Sequence, residues 1–524
     1  MKITLVNPPR SSYDISELSP PLGLLRLGTG ARHVGADVSI VDFNLLWHTD
    51  EKLQSNYFYQ SALDLLLEKD SDIYGFTSMA VDSHVCLRLA EALKKEKPNA
   101  VTVFGGTHFS SIAPRLLSDF PWVDVVIQGE GEDSFKDLIK QLAKKNAKAP
   151  SAETRSRIIP FTRGVNDEGS SALQFPDYSL VDLQTYFELN TQRICDFEGG
   201  RGCRFKCAFC YSPVHYGRVQ HFEIDKRIEE LRLLRNLGVE HVSFVEDNFL
   251  NDISIAIQFC RELETARLGL TWNCYATFPQ MNTDVITWMA RAGCTSVFTG
   301  IDAVGMTSQR SFRKGFLRSF TALETKLNEC MEAGILPTCA FMLSPPSHPC
   351  GVDTEEVLKA ALGARNCGAM VRLNTLTLYN GTASQSSVSA QLVADNLRPR
   401  LLLDVPDVVE TNAYADKFPE LFPFHSRYVP KREWKDFMQV IHCLFTLYFC
   451  YPETLESLWE EKNITPIHIA KSVIETLGDL TTIDKLDRRG KELETAAIFL
   501  KGLSVSSNIC GPLEAESAAL GISL

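Results

Sequence analysis

Three cysteines stand close together in the middle of the chain. Cys203, Cys207 and Cys210 follow the spacing C-x-x-x-C-x-x-C, and an aromatic residue directly precedes the last of them. Three thiolates on one loop can ligate three irons of a cubane cluster and leave the fourth iron open to another ligand. A zinc site would need a fourth cysteine or histidine at regular spacing. His215 and His221 are nearby, but neither completes a recognisable zinc motif, so the pattern favours a 4Fe-4S cluster.

A second group of candidate residues follows the predicted strands of the first 145 residues. Paired glycines at two strand ends let a ligand approach the backbone closely and expose amide donors. Each turn alone could be only a tight connection, but five such turns favour an edge that binds a large, flat, amide-rich ligand. The chain has no phosphate-binding loop motif, and no dinucleotide fingerprint follows its first strand. The strand-end residues are Asn7, Pro8, Pro9, Asp42, Ser78, Gly105, Gly106, Thr107, His108, Gly129, Glu130, Gly131 and Glu132.

Short β-branched runs alternate with helix-period segments over residues 1–145, and this alternation positions the strand-end residues. Apolar residues recur every fourth position between strands, as at Val85, Leu89 and Leu93, which predicts helices that pack one face on a sheet. The pattern predicts a doubly wound, Rossmann-like α/β domain, in which ligands bind beyond the carboxyl ends of the strands. The predicted strands are Ile3 to Val6, Val38 to Val41, Ile73 to Thr77, Val101 to Phe104 and Val123 to Ile127.

Six further strand and helix units are predicted over residues 191–385, after a polar linker of little periodicity at 146–190. They predict a partial (β/α)6 barrel, and the cysteine loop follows its first strand, at the mouth where active sites of barrels lie. Beyond 386, helix-period stretches predict a mainly helical domain that extends to 524. The predicted barrel strands are Gln192 to Phe197, His241 to Val245, Thr271 to Tyr275, Thr295 to Ile301, Pro337 to Leu343 and Val371 to Leu378.

The front domain resembles the cobalamin-binding domain of many radical S-adenosylmethionine (SAM) proteins, through the runs PPLG at 20–23, GGTH at 105–108 and GEGE at 129–132, and through Asp42. The cobalamin ligand pattern D-x-H-x-x-G is not met, because the run 82–87 reads DSHVCL and opens a helix. The resemblance therefore implies cobalamin bound without a protein histidine on cobalt. The implied cobalamin contacts are Pro8, Asp42, Ser78, Gly105, Gly106, Thr107, His108, Gly129, Glu130, Gly131 and Glu132.

The cysteine spacing, the aromatic residue and the barrel position resemble the radical SAM superfamily. In that superfamily the open iron binds SAM, and an electron from the cluster splits SAM to a 5′-deoxyadenosyl radical, which the resemblance implies here too. The chain departs from the family at Asp302, where glutamate is commoner, and near the third strand end, which lacks an arginine. The implied SAM contacts are Phe209, Tyr211, Glu246, Asp247, Asn248, Gly300, Asp302 and Lys314. Strand-end position alone suggests the substrate contacts Asn273, Tyr275, Arg372 and Asn374.

Composition excludes several classes of protein. The formal charge of −12 and the absence of a long basic run disfavour a nucleic-acid partner. The N-terminus lacks the features of a signal peptide, and the apolar stretch at 440–451 is too short to span a membrane. Fifteen cysteines in a long chain of this kind argue against a disulfide framework, because cytosolic thiols are kept reduced. These features predict a cytoplasmic protein without a membrane span.

The combined resemblance implies a cobalamin-dependent radical SAM enzyme, most often a methyltransferase for an unactivated carbon. The substrate would be a small molecule, a natural-product intermediate or a peptide, and the electron would come from a donor such as flavodoxin or ferredoxin. Two alternatives stay open: the same cofactors could drive ring formation or rearrangement without methylation, or the protein could be a non-catalytic cobalamin or redox sensor. The sequence does not separate one substrate class from another.

Overall fold

The structure is a computed structural model. It describes residues 1–9, 18–54, 57–144, 157–160, 175–314, 317, 320–348, 351–388, 431–477, 494–503 and 510–520. These residues form two compact units. The first contains Met1–Cys274 and Leu378–Ser386, and the second contains Tyr275–Thr377 with the C-terminal helices. The division falls inside the segment predicted as a barrel, whereas the sequence predicted a boundary in a linker near residue 190.

A six-stranded parallel sheet lies at the front of the first unit. All five predicted strands are present, although the fifth begins two residues later than predicted, and Phe76 and Phe104 stack at 5.1 Å on one face of the sheet. The strand order is β2-β1-β3-β4-β5-β6, with Ile3 of β1 opposite both Val38 and Ile73. The strands are β1 Lys2–Asn7, β2 Asp37–Asp42, β3 Ile73–Thr77, β4 Val101–Gly105, β5 Val125–Ile127 and β6 Arg157–Ile159.

Helices follow the strands of this sheet. The predicted apolar stripe of Val85, Leu89 and Leu93 is fully buried, which confirms the helix-on-sheet packing. The helices are α1 Leu22–His33, α2 Phe43–Thr49, α3 Phe58–Glu68, α4 Ser83–Glu96, α5 Thr107–Ser111, α6 Ala113–Asp119 and α7 Glu132–Lys144.

The segment predicted as a linker contributes regular structure. Strand β6 pairs with β5 and forms the edge of the first sheet, with Val126 opposite Ile158. A 3-10 turn spans Tyr178–Leu180, and helix α8 spans Leu183–Leu189, where the Asp182 side chain accepts a hydrogen bond from the Gln184 amide at 3.2 Å. Residues 145–156 and 161–174, which include most of the polar runs behind the linker prediction, lie outside the described residues.

A second sheet of parallel strands carries the cysteine loop. In the first unit its strands lie in the order β11-β10-β7, and Val242 and Trp272, which face each other on neighbouring strands, are completely buried. A short antiparallel ladder, β8 with β9, flanks the cysteines. These elements are β7 Ile194–Phe197, β8 Gly200–Arg201, α9 Ser212–His215, β9 Gln220–His221, α10 Ile224–Asn236, β10 His241–Phe244, α11 Ile253–Ala266 and β11 Thr271–Tyr275.

The second unit holds the remaining strands in the order β14-β13-β12. The last strand ends at Thr375, three residues before the predicted end, where its pairing with Leu343 of β13 stops. The elements are α12 Thr283–Arg291, β12 Cys294–Asp302, α13 Met306–Ser311, α14 Phe320–Glu332, β13 Leu336–Leu343, α15 Thr354–Asn366 and β14 Met370–Thr375. Helix α16 Ala383–Val388 follows, and most of it belongs to the first unit. Together with the first unit, six predicted strands of the barrel are therefore confirmed as strands.

Where the structure describes the C-terminal part of the chain, that part is helical, as predicted. Helices span Lys431–Cys450, Pro452–Lys462, Pro466–Leu477, 494–503 and Cys510–Ala519. Tyr448 ties the first of them to α15, because its hydroxyl donates to the Leu358 carbonyl at 2.8 Å. Among the helices that the structure describes, none combines the length and apolar character that a membrane crossing requires.

Candidate functional site

The cysteine loop begins after β8 with a backbone turn that only glycine can make. Gly202 has φ +77°, and a Cβ there would lie 2.1 Å from the Arg218 carbonyl oxygen. Cys203, Cys207 and Cys210 follow as half-buried cysteines, and the Cys210 amide donates to the Cys207 carbonyl at 3.1 Å. The turn therefore presents all three thiols from one loop.

Two side chains after β10 fasten this loop at both ends. Asn251 donates its side-chain amide to the Gly202 carbonyl at 2.8 Å and accepts from the Arg204 amide at 3.0 Å, on either side of Cys203. Asp247 accepts from the Ser212 hydroxyl at 2.8 Å, just beyond the last cysteine. Burial raises the pKa of Asp247. Asn251 is not among the contacts predicted from the sequence, although it lies three residues beyond the predicted Asn248.

Glu246 and Asn248, the neighbours of Asp247 in the sequence, are also held by side chains of the fold. Glu246 is buried, pairs with Arg227 at 3.4 Å, and packs so tightly that a Cβ on Gly199 would lie 2.5 Å from its carboxylate. Burial raises the pKa of Glu246, and the Arg227 charge opposes that rise. Asn248 is also buried and donates to Asn251 at 3.3 Å. Both predicted SAM contacts therefore have structural partners within the fold.

The loop chemistry fits an iron–sulfur cluster. Thiolates are the usual ligands of such clusters, and each ligates its own iron, so the ligands need not surround one ion. Within the described ranges, no three His, Cys, Asp or Glu side chains are grouped about a single-ion site. Phe209 and Tyr211 flank Cys210, and burial raises the pKa of Tyr211 to about 12. The three cysteines would hold the cluster and leave one iron for SAM.

A cavity of about 500 Å³ in the first unit collects most of the predicted cobalamin contacts. Its wall also includes residues near the cysteine loop, among them Glu198, Arg201, His215 and Tyr216, which the sequence reasoning did not select as cofactor contacts. The only sequence signal for these four residues is that they lie within eight residues of a cluster cysteine. The predicted residues that line the cavity are Pro8, Ser78, Gly105, Gly106, Thr107, Gly129, Glu130, Gly131 and Glu132.

The cavity wall suits an amide-rich ligand such as the corrin ring. Gly106 has φ +93°, and a Cβ there would lie 2.7 Å from the Thr77 hydroxyl, so the backbone faces the cavity without a side chain. The Ser78 hydroxyl is buried at this wall and has no hydrogen-bond partner in the protein. A buried hydroxyl is costly when left unsatisfied, and an amide of a bound ligand would satisfy it.

Two predicted cobalamin contacts, Asp42 and His108, are not among the residues that line this cavity. The Asp42 carboxylate caps α2 through the Asn44 amide at 2.9 Å and accepts from the Tyr186 hydroxyl at 2.5 Å. It lines a second cavity beside α8 instead. His108 is buried in α5, with its ring centroid 5.9 Å from that of Phe109.

His215 of α9 brings an imidazole to the cavity from the cysteine-loop side. Its Nδ1 atom is buried without a hydrogen-bond partner in the protein. Burial, aided by the positive charge of Arg201, lowers the pKa of His215 to about 4. The ring is therefore neutral at physiological pH and offers a hydrogen-bonding nitrogen to a ligand.

Three predicted SAM contacts come together at the end of β12 in the second unit. Lys314 donates to the Gly300 carbonyl at 2.6 Å and forms an ion pair with Asp302. The pairing of β12 with β13 shifts register between Gly300 and Asp302, and Asp302 has a positive φ of +62°. The shorter aspartate thus stands in a locally adjusted strand end.

The predicted substrate contacts occupy polar faces of their strands. Asn273 of β11 accepts from the Ser243 hydroxyl at 2.9 Å and hydrogen-bonds the His241 ring at 3.0 Å. Tyr275 is 44% exposed. Arg372 and Asn374 lie on the exposed face of β14, where exposed and half-buried residues alternate. These residues stay predictions for substrate binding.

Two family models match the chain, one over most of the first parallel sheet and the other over the segment that carries the cysteine loop. The model described as B12 binding domain matches residues 15–139, and that of the Radical SAM superfamily matches residues 197–346. The chain is a cobalamin-binding radical SAM enzyme. Its cofactors are cobalamin, a 4Fe-4S cluster and SAM.

Curated relatives of this radical SAM enzyme include an uncharacterized methyltransferase of Pyrococcus horikoshii. It is 26% identical over 345 residues, which cover 62% of this chain and 71% of the relative. The anaerobic magnesium-protoporphyrin IX monomethyl ester cyclase of Cereibacter sphaeroides is 24% identical over 374 residues, which cover 68% of this chain and 58% of the cyclase.

Solved structures share the fold of this radical SAM enzyme. The methyltransferase TsrM from Kitasatospora setae, with cobalamin and a [4Fe-4S] cluster bound, matches with a TM-score of 0.57 at 17% identity over 74% of this chain and 78% of TsrM. The cobalamin-dependent radical enzyme OxsB matches with a TM-score of 0.63 at 14% identity over 100% of this chain and 81% of OxsB. The fold class predicted from the sequence is confirmed.

Proposed function

We propose that this enzyme is a C-methyltransferase that acts on an unactivated carbon of a small molecule, a natural-product intermediate or a peptide. The observation that carries the proposal is the composite cavity wall. Strand ends of the B12-binding domain form one part of it, and Arg201, His215 and Tyr216, which flank the cluster cysteines, form another. The relative named as a methyltransferase supports the same choice.

The chain's own residues would bind, orient and shield the reacting groups. When bound, cobalamin supplies a transferable methyl group and the cluster with SAM supplies the radical that activates the substrate carbon. Ser78 and the backbone at Gly106 would hold corrin amides, while Asn251 and Asp247 keep the cysteine loop in place. Such fixed placement supplies much of the rate in this kind of catalysis.

The SAM and substrate contacts are part of the proposal. Phe209, Tyr211 and the group formed by Gly300, Asp302 and Lys314 would contact SAM. Asn273, Tyr275, Arg372 and Asn374 would face the substrate.

We also propose an acidic low-potential electron carrier, such as a flavodoxin or ferredoxin, as the partner. Arg204, Lys206 and Arg218 are exposed on the cysteine loop. Residues 199–222 contain no aspartate or glutamate, although the whole chain has a formal charge of −12. Opposite charge at this loop would steer an acidic donor to the cluster. The cytoplasmic location expected from the sequence stays a prediction.

A cyclase or rearrangement enzyme with the same cofactors is the second candidate, supported by the similarity to the protoporphyrin ester cyclase. The two candidates differ in what becomes of SAM. A methyltransferase would also transfer the methyl group of one SAM and release S-adenosylhomocysteine. A cyclase would convert SAM only to methionine and 5′-deoxyadenosine.

The test is anaerobic reconstitution with iron, sulfide and hydroxocobalamin, followed by SAM and a low-potential reductant. We expect S-adenosylhomocysteine in proportion to bound cobalamin, together with 5′-deoxyadenosine, both measured by mass spectrometry. Cys203→Ala should abolish the deoxyadenosine, and Cys367→Ala, which alters a partly exposed cysteine outside the motif, should leave both products unchanged. Formation of 5′-deoxyadenosine without S-adenosylhomocysteine would favour the cyclase. The absence of both products would contradict an enzymatic role.

A further inference from the structure

Arg201 occupies a position between the cluster loop and the front domain. It lies in β8, two residues before Cys203, and pairs with Gln220 across the antiparallel β8–β9 ladder. Its side chain is only 8% exposed and points to the loop that follows β5. All of these residues belong to the first compact unit.

The Arg201 guanidinium binds three carboxylates at once. It contacts both oxygens of Glu198 at 2.9 Å, Glu130 at 2.7 Å and Glu132 at 2.5 Å. Gln220 adds a hydrogen bond to the second oxygen of Glu130 at 2.9 Å. Two neighbouring residues of the ladder thus hold the loop at 129–132 by three side-chain contacts.

The same carboxylates belong to the cobalamin cavity. Glu130, Glu132, Glu198 and Arg201 all line it, with Gly129 and Gly131 between the first two. Burial alone would raise the pKa of Glu132, but the charge and hydrogen bond of Arg201, together with a backbone hydrogen bond and the charge of Arg26, bring the pKa below its ordinary value. Three carboxyl groups therefore share one arginine as their counter-charge.

We propose that Arg201 is a positioning residue that couples the cobalamin cavity to the cluster loop. Glu130 and Glu132 hold their places in the cavity wall while the guanidinium beside Cys203 binds them, so cobalamin and cluster favour the same arrangement. Coupling between two binding sites is reciprocal: a cluster that tightens cobalamin binding is itself stabilised by cobalamin to the same degree. The coupling rests on the two cofactors of the family and does not require methyl transfer.

Four binding constants test the proposal. Full-length wild type and Arg201→Gln are each prepared with and without the reconstituted cluster, and hydroxocobalamin is titrated anaerobically with detection by its absorbance. In the wild type, cobalamin should bind about fivefold more tightly or better when the cluster is present. In Arg201→Gln this ratio should fall to about one, because the link between the sites is removed.

Further variants separate coupling from general damage. Arg32→Gln removes the exposed Arg32–Asp177 ion pair in the same unit and should keep the wild-type ratio. Arg201→Lys keeps the charge but not the planar fork, and should give an intermediate ratio. If Arg201→Gln does not fold, Glu132→Gln removes one arm and must still reduce the ratio. A wild-type ratio of one, or an unchanged ratio in the folded variants at Arg201 or Glu132, would overturn the proposal. Because these equilibria need no turnover, they stand apart from the product assay.

Discussion

At the scale of single residues, the hydrogen bonds that a polar side chain already makes within the protein determine whether it can bind a cofactor. His215 combines a buried nitrogen without a protein partner, a neutral ring and a place in the cavity wall. Asp42 shows the opposite case, because its carboxylate is already occupied by the Tyr186 hydroxyl and the Asn44 amide. The satisfied residue serves the fold, whereas the unsatisfied one is available to a ligand.

Replacing His215 should weaken cobalamin binding. We expect His215→Ala to raise the dissociation constant for hydroxocobalamin about three- to tenfold, the loss of one hydrogen bond. Because the pKa of His215 is lowered to about 4, the neutral ring should give the same contribution between pH 6 and 8 and lose it only on strong acidification. Absorbance titration measures the constant, with the exposed His468→Ala as control. Equal affinity in both variants would remove His215 from the binding site.

At the scale of elements, the Arg227–Glu246 pair ties α10 to the end of β10. Both side chains are only 3% exposed, and the guanidinium also lies 3.8 Å from the ring centroid of Phe259 on α11. A buried pair gives little net stability against an apolar pair, but removing one partner leaves a buried charge alone. The pair therefore bears on stability more than on cofactor contact.

Glu246→Gln should accordingly destabilise the fold. The expected loss is about 3 kcal/mol, because Arg227 would be left without its counter-charge. A fall of several degrees in Tm would show it, and a second change, Arg227→Met, should recover part of the loss. Glu229→Gln on the exposed face of α10 is the matched control. An unchanged Tm with weakened SAM binding would instead support the cofactor contact implied by the family resemblance.

The sequence predicted elements better than it predicted partners. Short β-branched runs located eleven strands, but β6 has only three residues in a polar segment, too few to show an alternation of apolar and polar residues. Nine of the residues that strand ends suggested as cobalamin contacts line one cavity. The sequence could not show that the Tyr186 hydroxyl, 144 residues away, donates a hydrogen bond to the Asp42 carboxylate, or that Arg201 binds three carboxylates. Such contacts depend on how elements that are distant in sequence pack together.

At the scale of the molecule, the two compact units do not follow the predicted segments. Ion pairs explain part of this, since Arg26 of α1 contacts Glu198 at 3.4 Å and Glu230 of α10 at 3.3 Å. Together with the Arg201 contacts, they join the first strands of the second sheet to the front domain. The cofactor cavity is accordingly contained within one unit.

Cobalamin should therefore protect two distant stretches of sequence together. With hydroxocobalamin at a hundred times its dissociation constant, hydrogen exchange should slow up to about a hundredfold where exchange requires the site to open. We expect protection of peptides that cover 105–107 and 129–132, and also of those that cover 198–201 and 215–216. The helix Lys431–Cys450 serves as the internal reference and should not change. Protection confined to the front domain would contradict the composite cavity wall.

Strand β6 has a practical consequence for dissecting the enzyme. A fragment that stops at residue 145 would lack β6 and leave the apolar strand β5, with Val125, Val126 and Ile127, as an open edge. Open edges of this kind pair with other chains and cause aggregation. A separately produced cobalamin-binding module should therefore keep the chain at least through Ile159, even though the family match ends at residue 139.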